Sequence, residues 1–237
     1  MDREKDLNEL VSRLKQAAGD NLSAVVLYGS AVDHDFQESS DLNVLCLLNR
    51  LQASDLESLR PVGLWWWRKG HPPPLVFTLV ELRNSADVFS IELLDMKTRH
   101  RILEGADFLA ALEVPMALHR LQVEREFRVN VIRLRQAFLR YRGRRSELAE
   151  LLVASVSSFG ALFRHALITL GHAAPDSLRD AGDQLLGLLA LDAAPFHRVL
   201  DLREGKSSAG EIALERVFEK YLDLVMTVAE EIDRHLA

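Results

Sequence analysis

The fold is indicated most clearly by two segments, Leu27-Tyr28-Gly29-Ser30 and, after a polar loop, Ser39-Ser40-Asp41-Leu42-Asn43-Val44-Leu45. The first part closes a β-rich run at 24–28, and the second part opens an almost entirely apolar run at 42–48. Short runs of this kind, bounded by turn-forming residues, predict buried strands. The predicted order is therefore strand, Gly-Ser turn, loop and strand.

The residue types at the turn and at the second strand suit the binding of a phosphate and a metal ion. Gly29 permits close backbone approach to a phosphate, and the hydroxyl of Ser30 adds a hydrogen bond. A helix starting at this turn would also direct free N–H groups at the anion. Since strand side chains alternate, Asp41 and Asn43 are expected to project to the same face, and two adjacent oxygen ligands suit Mg²⁺.

The pattern of the whole chain predicts an α+β fold, in which a mixed sheet flanked by helices is followed by an all-α bundle. Its predicted elements are helices at 2–18 and 53–67, a third strand at 75–80 and a fourth at 87–96. Beyond about residue 112 the strand-like runs stop and helical periodicity takes over. We expect helices through residues 127–141, 146–170, 176–189, 195–203 and 208–236, and two domains covering 1–112 and 113–237.

Residues 20–100 resemble the nucleotidyltransferase superfamily related to DNA polymerase β, in its minimal form. The resemblance is carried by Gly29-Ser30, a gap of about ten residues, and Asp41-Leu42-Asn43 where the family has Asp-x-Asp on a strand. The family takes a third carboxylate from a later strand, and Glu92 is the best candidate by position. Asp95 and Asp87 are weaker alternatives. The helical remainder resembles the accessory bundles that follow such domains.

The resemblance implies that Mg²⁺ assists the transfer of a nucleotidyl group from an NTP to an acceptor hydroxyl. Gly29 and Ser30 would hold the β and γ phosphates. Asp41 and Glu92 would be the catalytic carboxylates, Glu92 helping to activate the acceptor. Asp41, Asn43 and Glu92 would be the metal ligands. The accessory helical domain would set the acceptor, which the sequence does not identify.

Two positions depart from the family pattern and favour a second interpretation. Asn43 offers an amide oxygen but no negative charge, so metal affinity should fall. In the loop after Gly-Ser, where a basic residue is expected, Asp33 and Asp35 would repel a triphosphate. The alternative is a pseudo-nucleotidyltransferase, a nucleotide-binding or antitoxin-like interaction module. Its partner would be another protein or a second copy of the chain, bound through the helical domain.

The composition sets limits on the remaining function classes. Hydrophobic residues make up 48% of the 237 residues and the net charge is −6, which indicates a globular protein with no global attraction to nucleic acid. The arginines from Arg120 through Arg145 are interspersed with acids, which indicates a solvated helix face. The single cysteine, Cys46, lies in an apolar run, where a buried thiol and a reducing cytoplasm are expected. The sequence also predicts neither a zinc site nor a membrane span.

The run Trp65-Trp66-Trp67 allows two interpretations. Exposed indole rings can stack on nucleobases, because every base has a π face. Packing against the sheet or the helical half is the simpler interpretation.

Overall fold

The structure is a computed structural model that describes residues 3–32, 41–210 and 212–236. The loop 33–40, with Asp33 and Asp35, lies outside the described residues. The chain divides into two compact units, residues 1–115 and 116–237. A four-stranded mixed sheet with helices forms the first unit and helices form the second. The α+β fold class is thereby confirmed, while two separate domains meeting near residue 112 stay a prediction.

The first unit contains four helices and four strands among its described residues. In chain order they are α1 (Arg3–Ala18), β1 (Leu22–Tyr28), β2 (Asn43–Leu48), α2 (Ala53–Arg68), β3 (Leu75–Thr78), α3 (Leu79–Asn84), α4 (Ser90–Thr98) and β4 (His100–Gly105). The strand order is β3-β2-β1-β4, with β1 antiparallel to both of its neighbours and β2 parallel to β3. The central strand β1 therefore ends between the starts of β2 and β4.

The two faces of the sheet carry separate apolar cores. Val25 and Cys46 face the side covered by α1 and α2, where Trp66 is fully buried. Val26 and Leu45 face the side covered by α3 and α4. This alternation is what half-buried strands require. The packing interpretation is confirmed for Trp66, whereas Trp67 is 62% exposed.

The fourth strand predicted at 87–96 is wrong, because this segment forms α4 and the fourth strand is β4 instead. Within α4 the buried positions are Ser90, Leu93 and Met96, a spacing of three that is helical and not strand-like. Phe89, which alternation would bury with Leu93, is exposed. Glu92 accordingly lies on a helix and not on a strand.

The second unit consists of helices in the part that the structure describes. They are α5 (Met116–Leu139), α6 (Arg145–Thr169), α7 (Leu178–Leu188), α8 (Ala194–Arg203) and α9 (Leu214–Leu236). Aromatic rings join them in the core, since Phe163 stacks on Phe127 at 6.0 Å and packs against Phe196 at 4.9 Å. On α5, Arg128 pairs with Glu124 at 2.9 Å and with Asp233 at 2.8 Å, as expected for a solvated charged face.

By length and composition, α6 is apolar enough to cross a membrane. However, 56% of its most apolar stretch is buried within the structure, and its buried positions include Phe159, Phe163 and the charged Arg164. A central helix of a helical bundle has this character, because its apolar residues pack against neighbouring helices on several sides. The helix is therefore part of the core of the second unit.

Candidate active site

The sequence-predicted site lies at one end of the sheet, where β1 ends and its two neighbours begin. Tyr28, the last residue of β1, pairs with Asn43 on β2 and with His100 on β4. Directly paired residues on adjacent strands project to the same face. Three side chains thus start from this end of the sheet on the face that α3 and α4 cover.

Gly29 follows β1 in a left-handed conformation that L side chains rarely adopt, with φ of +82°. Its amide donates to the carbonyl oxygen of Arg99 at 3.0 Å, which ties the turn to the end of α4. A Cβ added at Gly29 would lie 3.7 Å from Nδ2 of Asn43, an ordinary contact distance. Gly29 therefore contributes backbone shape and open space, while its own N–H is already used.

The Gly-Ser segment begins with a short turn. Residues Gly29–Val32 make one turn of 3-10 helix, and residues 33–40, which follow it, lie outside the described residues. Contacts from the hydroxyl of Ser30 to a phosphate stay a prediction.

The Asp41-Leu42-Asn43 segment leads into β2, which begins at Asn43. Leu42 is buried in the core beneath α1 and α2. Because paired strand residues point to the same face, Asn43 is directed to the face of Tyr28, whereas Asp41 precedes the strand and its place on that face stays a prediction. Asp41 is exposed and Asn43 is half-buried.

His71 holds this segment in place, a role that the sequence did not indicate. Its buried imidazole accepts a hydrogen bond at Nδ1 from the amide of Leu42, at 3.4 Å, and packs against Trp66 with ring centroids 4.4 Å apart. Burial lowers the pKa of His71, and the carboxylates of Asp41 and Asp6 oppose that shift. A neutral Nδ1 can accept the amide proton, so the lowered pKa suits this bond. Sequence offers no signal for such a contact, since the partner is a backbone amide.

A cavity of about 450 Å³ opens at this end of the sheet and contains two of the sequence-predicted residues, Gly29 and Glu92. Asp95, the alternative carboxylate, also lines it, whereas the described lining includes neither Asp41 nor Asn43. Most of the wall is apolar, and it is formed by Tyr28, Leu45, Leu75, Phe77, Leu82, Phe89, Leu93 and Met96. Glu92 and Asp95, three positions apart on α4, thus line the same cavity as Gly29.

A second pair of polar groups stands beside Tyr28 at the start of β4. Nε2 of His100 lies 3.1 Å from both oxygens of Asp107, and its Nδ1 lies 3.1 Å from the carbonyl oxygen of Lys97. The pKa of Asp107 is lowered, mainly by the amide of Ala110 and further by His100. This pair fixes the chain after β4, and sequence reasoning did not identify it because its partners become neighbours only through local folding.

The side chains fit Mg²⁺ in kind, since Asp41, Asn43 and Glu92 offer hard oxygen ligands. They do not form a complete carboxylate cluster. No group of three or more His, Cys, Asp or Glu side chains suited to a metal ion occurs within 3–32, 41–210 and 212–236. The amide at position 43 is one physical reason, because it removes a negative ligand from the strand.

Comparison with known proteins relates this geometry to a fold. No family model and no curated protein matches the chain. Among solved structures, it is similar to the spectinomycin adenyltransferase AAD(9) from Enterococcus faecialis, crystallised with ATP and spectinomycin. The match has a TM-score of 0.55 and 13% identity, and it covers 94% of this chain and 99% of that chain. The chain therefore has the nucleotidyltransferase fold that its Gly-Ser and Asp41-Leu42-Asn43 segments indicated, extended by the helical region that follows it.

Proposed function

We propose that the first unit binds a nucleoside triphosphate with Mg²⁺ and transfers the nucleotidyl group to a hydroxyl of a second small molecule. The observation that carries the proposal is one cavity that is lined both by the left-handed Gly29 and by Glu92 and Asp95 of α4. The similar solved structure, with ATP and spectinomycin bound, supports both halves of the proposal, an NTP donor and an acceptor.

Each group of the chain has a defined task in this reaction. The turn after β1 gives the triphosphate room to approach the backbone, and Asp41, Asn43 and Glu92 would hold Mg²⁺. The metal, when bound, neutralises the phosphate charge that develops during transfer. Glu92 takes the proton of the acceptor hydroxyl as that oxygen bonds to the α-phosphorus. The bond from the α-phosphorus to the bridging oxygen then breaks, and pyrophosphate leaves.

The apolar walls of the cavity would exclude water from the reacting groups. Phe77 and Phe89 contribute flat rings to the wall, and the ring of Tyr28 lies next to Gly29 in the chain. Burial raises the pKa of Tyr28, so its hydroxyl stays protonated across the physiological range and can donate a hydrogen bond. These features favour a substrate that brings an apolar or planar surface together with its hydroxyl.

Binding and transfer can be tested separately. Titration of a non-hydrolysable ATP analogue, with and without Mg²⁺, measures binding, and release of pyrophosphate with spectinomycin and related hydroxyl compounds measures transfer. We expect Asp41→Ala to weaken Mg²⁺-dependent binding by at least about tenfold. Glu92→Gln removes the negative charge of a proposed metal ligand, so it should weaken Mg²⁺-dependent binding, and it should lose transfer even when the nucleotide is saturating. Glu57→Gln is the matched control, because Glu57 is exposed on α2 and does not line the cavity.

The absence of a three-carboxylate cluster from the described residues, together with Asn43, favours one second candidate. This candidate is a nucleotide-binding or protein-interaction module without turnover. It requires that no acceptor releases pyrophosphate and that partner binding survives Asp41→Ala. Metal-dependent binding that is lost in Asp41→Ala, combined with transfer that is lost in Glu92→Gln, would exclude it.

A further inference from the structure

A second cavity, of about 510 Å³, lies in the helical unit at the N-terminal ends of α8 and α9. It is lined by Asp192, Ala194, Pro195, Arg198, Ala213, Arg216, Val217 and Lys220. Its size is that of a small-molecule site, since ligand pockets typically span roughly 300 to 1,000 Å³. Neither the sequence motifs nor the proposed transfer reaction involves these residues.

The charges of the described lining residues are unbalanced. Arg198 comes from α8, and Arg216 and Lys220 come from α9. The described parts of the chain show no ion pair or hydrogen bond for these three side chains. The acidic residue of the lining, Asp192, already accepts a hydrogen bond from the amide of Ala194 at 2.9 Å. The described lining therefore carries three cations against one carboxylate.

The positions of Arg216 and Lys220 on α9 are electrostatically unfavourable when no anion is bound. Arg216 and Lys220 are four residues apart, so they are neighbours on one face of the helix and repel each other. Arg216 also sits in the first turn, where the partial positive charge of the helix disfavours a cation. An anion in the cavity would relieve both repulsions.

We propose that this cavity binds a small phosphorylated molecule through Arg198, Arg216 and Lys220. The guanidinium group of arginine and the ammonium group of lysine are the side-chain groups best suited to bind phosphate oxygens. Here α8 and α9 supply them from different directions. The site is concave and holds three cations, whereas nucleic acid binding needs an extended basic surface that tracks the backbone. A chain of net charge −6 offers little further attraction to a long polyanion.

Pyrophosphate, titrated calorimetrically in EDTA at fixed ionic strength, is a suitable probe, because EDTA removes the metal on which the proposed nucleotide site depends. We expect one equivalent to bind. The double substitution Arg198→Gln with Arg216→Gln should weaken binding by at least about tenfold, since charge-assisted bonds to phosphate are the strong ones. Arg203→Gln is the matched control, an exposed arginine on the same helix that does not line the cavity.

A substitution of opposite sign makes the test stricter. Asp192→Asn removes the negative charge from the lining and can still accept the bond from Ala194, because the side-chain oxygen of Asn is also a hydrogen-bond acceptor. It should therefore tighten pyrophosphate binding. Repeating the titration with AMP then separates two sources of the phosphate, because a nucleotide site binds AMP more tightly than its phosphate alone predicts.

Three results would overturn the proposal. In the first, pyrophosphate fails to bind the full chain at millimolar concentration while thermal unfolding shows the protein to be folded. In the second, Arg203→Gln weakens binding as much as the double substitution does, which identifies a nonspecific charge effect. In the third, a short DNA duplex binds through Arg198 and Arg216 while pyrophosphate does not, which assigns the surface to nucleic acid.

Discussion

The substitution Gly29→Ala separates the shape of the phosphate turn from the stability of the fold. An L residue in the left-handed region costs about 1–2 kcal/mol. Part of this is offset, because alanine has less conformational freedom than glycine in the unfolded chain, an effect of about 0.4–1 kcal/mol. The added Cβ would meet Nδ2 of Asn43 at 3.7 Å and so creates no clash. We therefore expect a net loss of about 1 kcal/mol in the free energy of unfolding.

Binding should suffer more than stability, because the methyl group occupies the space through which a phosphate approaches the turn. We expect the affinity for the ATP analogue with Mg²⁺ to fall by at least about tenfold, or about 1.4 kcal/mol. Gly70→Ala is the matched control in the same unit. Gly70 has a φ of +93° and nothing within 4 Å of an added Cβ, so it should show the backbone strain without the loss of binding.

Calorimetric titration at a temperature where both variants are folded measures the affinities, and thermal unfolding without nucleotide measures the strain. If Gly29→Ala binds the analogue as tightly as the unaltered protein does, the turn is not a phosphate site. If Gly70→Ala loses the same affinity, the loss reflects general destabilisation and the argument about shape is wrong.

Four further predictions test the same unit. Restoring a carboxylate by Asn43→Asp should strengthen Mg²⁺-dependent nucleotide binding by about tenfold, and equal affinity in a titration would show that the missing charge is no handicap. His71→Asn keeps a hydrogen-bond acceptor near the position of Nδ1, so it should preserve the affinity for nucleotide. His71→Leu loses the bond to Leu42 and should weaken that affinity. If both variants change the affinity equally, His71 contributes by packing and not through its hydrogen bond. Gly105→Ala should lower the free energy of unfolding, measured in urea, by about 3 kcal/mol or more. The added Cβ would collide with the backbone of β1, and Gly105 itself has a φ of +81°. A loss below about 1 kcal/mol would contradict the pairing of β1 with β4. Burial raises the pKa of Cys46 to about 12, so this thiol should resist a disulfide reagent at pH 8 until the protein unfolds. Stability should fall as the pH rises through about 9, where the thiol of the unfolded chain ionises and the buried thiol stays protonated. Rapid labelling of the folded protein would refute the burial.

The helical half was the easier part to predict from sequence. The apolar stripe through Phe127, Val131 and Leu134 lies on the buried face of α5, as its spacing indicates. The strands β1 to β3 were also placed to within two residues at each end, because short apolar runs between turn residues are a local signal. The segment around Glu92 has a less distinct pattern, since apolar residues occur there at both alternating and helical spacings. The packing of this segment against the sheet shows that it forms a helix, with Leu93 and Met96 on its buried side.

The residue types of the proposed site could be identified from local patterns in the sequence. The run before Gly29 predicts a strand, the spacing of Asp41 and Asn43 predicts a shared face, and Asn43 leaves the segment one negative charge short of the family pattern, because these features depend on local geometry and residue type. The distant residues that line the same cavity became known from the folded chain. Glu92 and Asp95 of α4 line the cavity together with Gly29. Packing of the helix against the sheet brings together segments about sixty residues apart, and no local pattern predicts such a contact.

The same distinction applies to the groups that hold and surround the site. His71 contacts the amide of Leu42 across 29 positions in the chain, a bond that depends on where α2 ends relative to β2. Arg198 and Arg216 meet at one cavity because α8 and α9 pack together. Backbone amides and solvated arginines occur throughout every chain, so their sequence positions carry no signal. The arrangement of the helices gives them their partners.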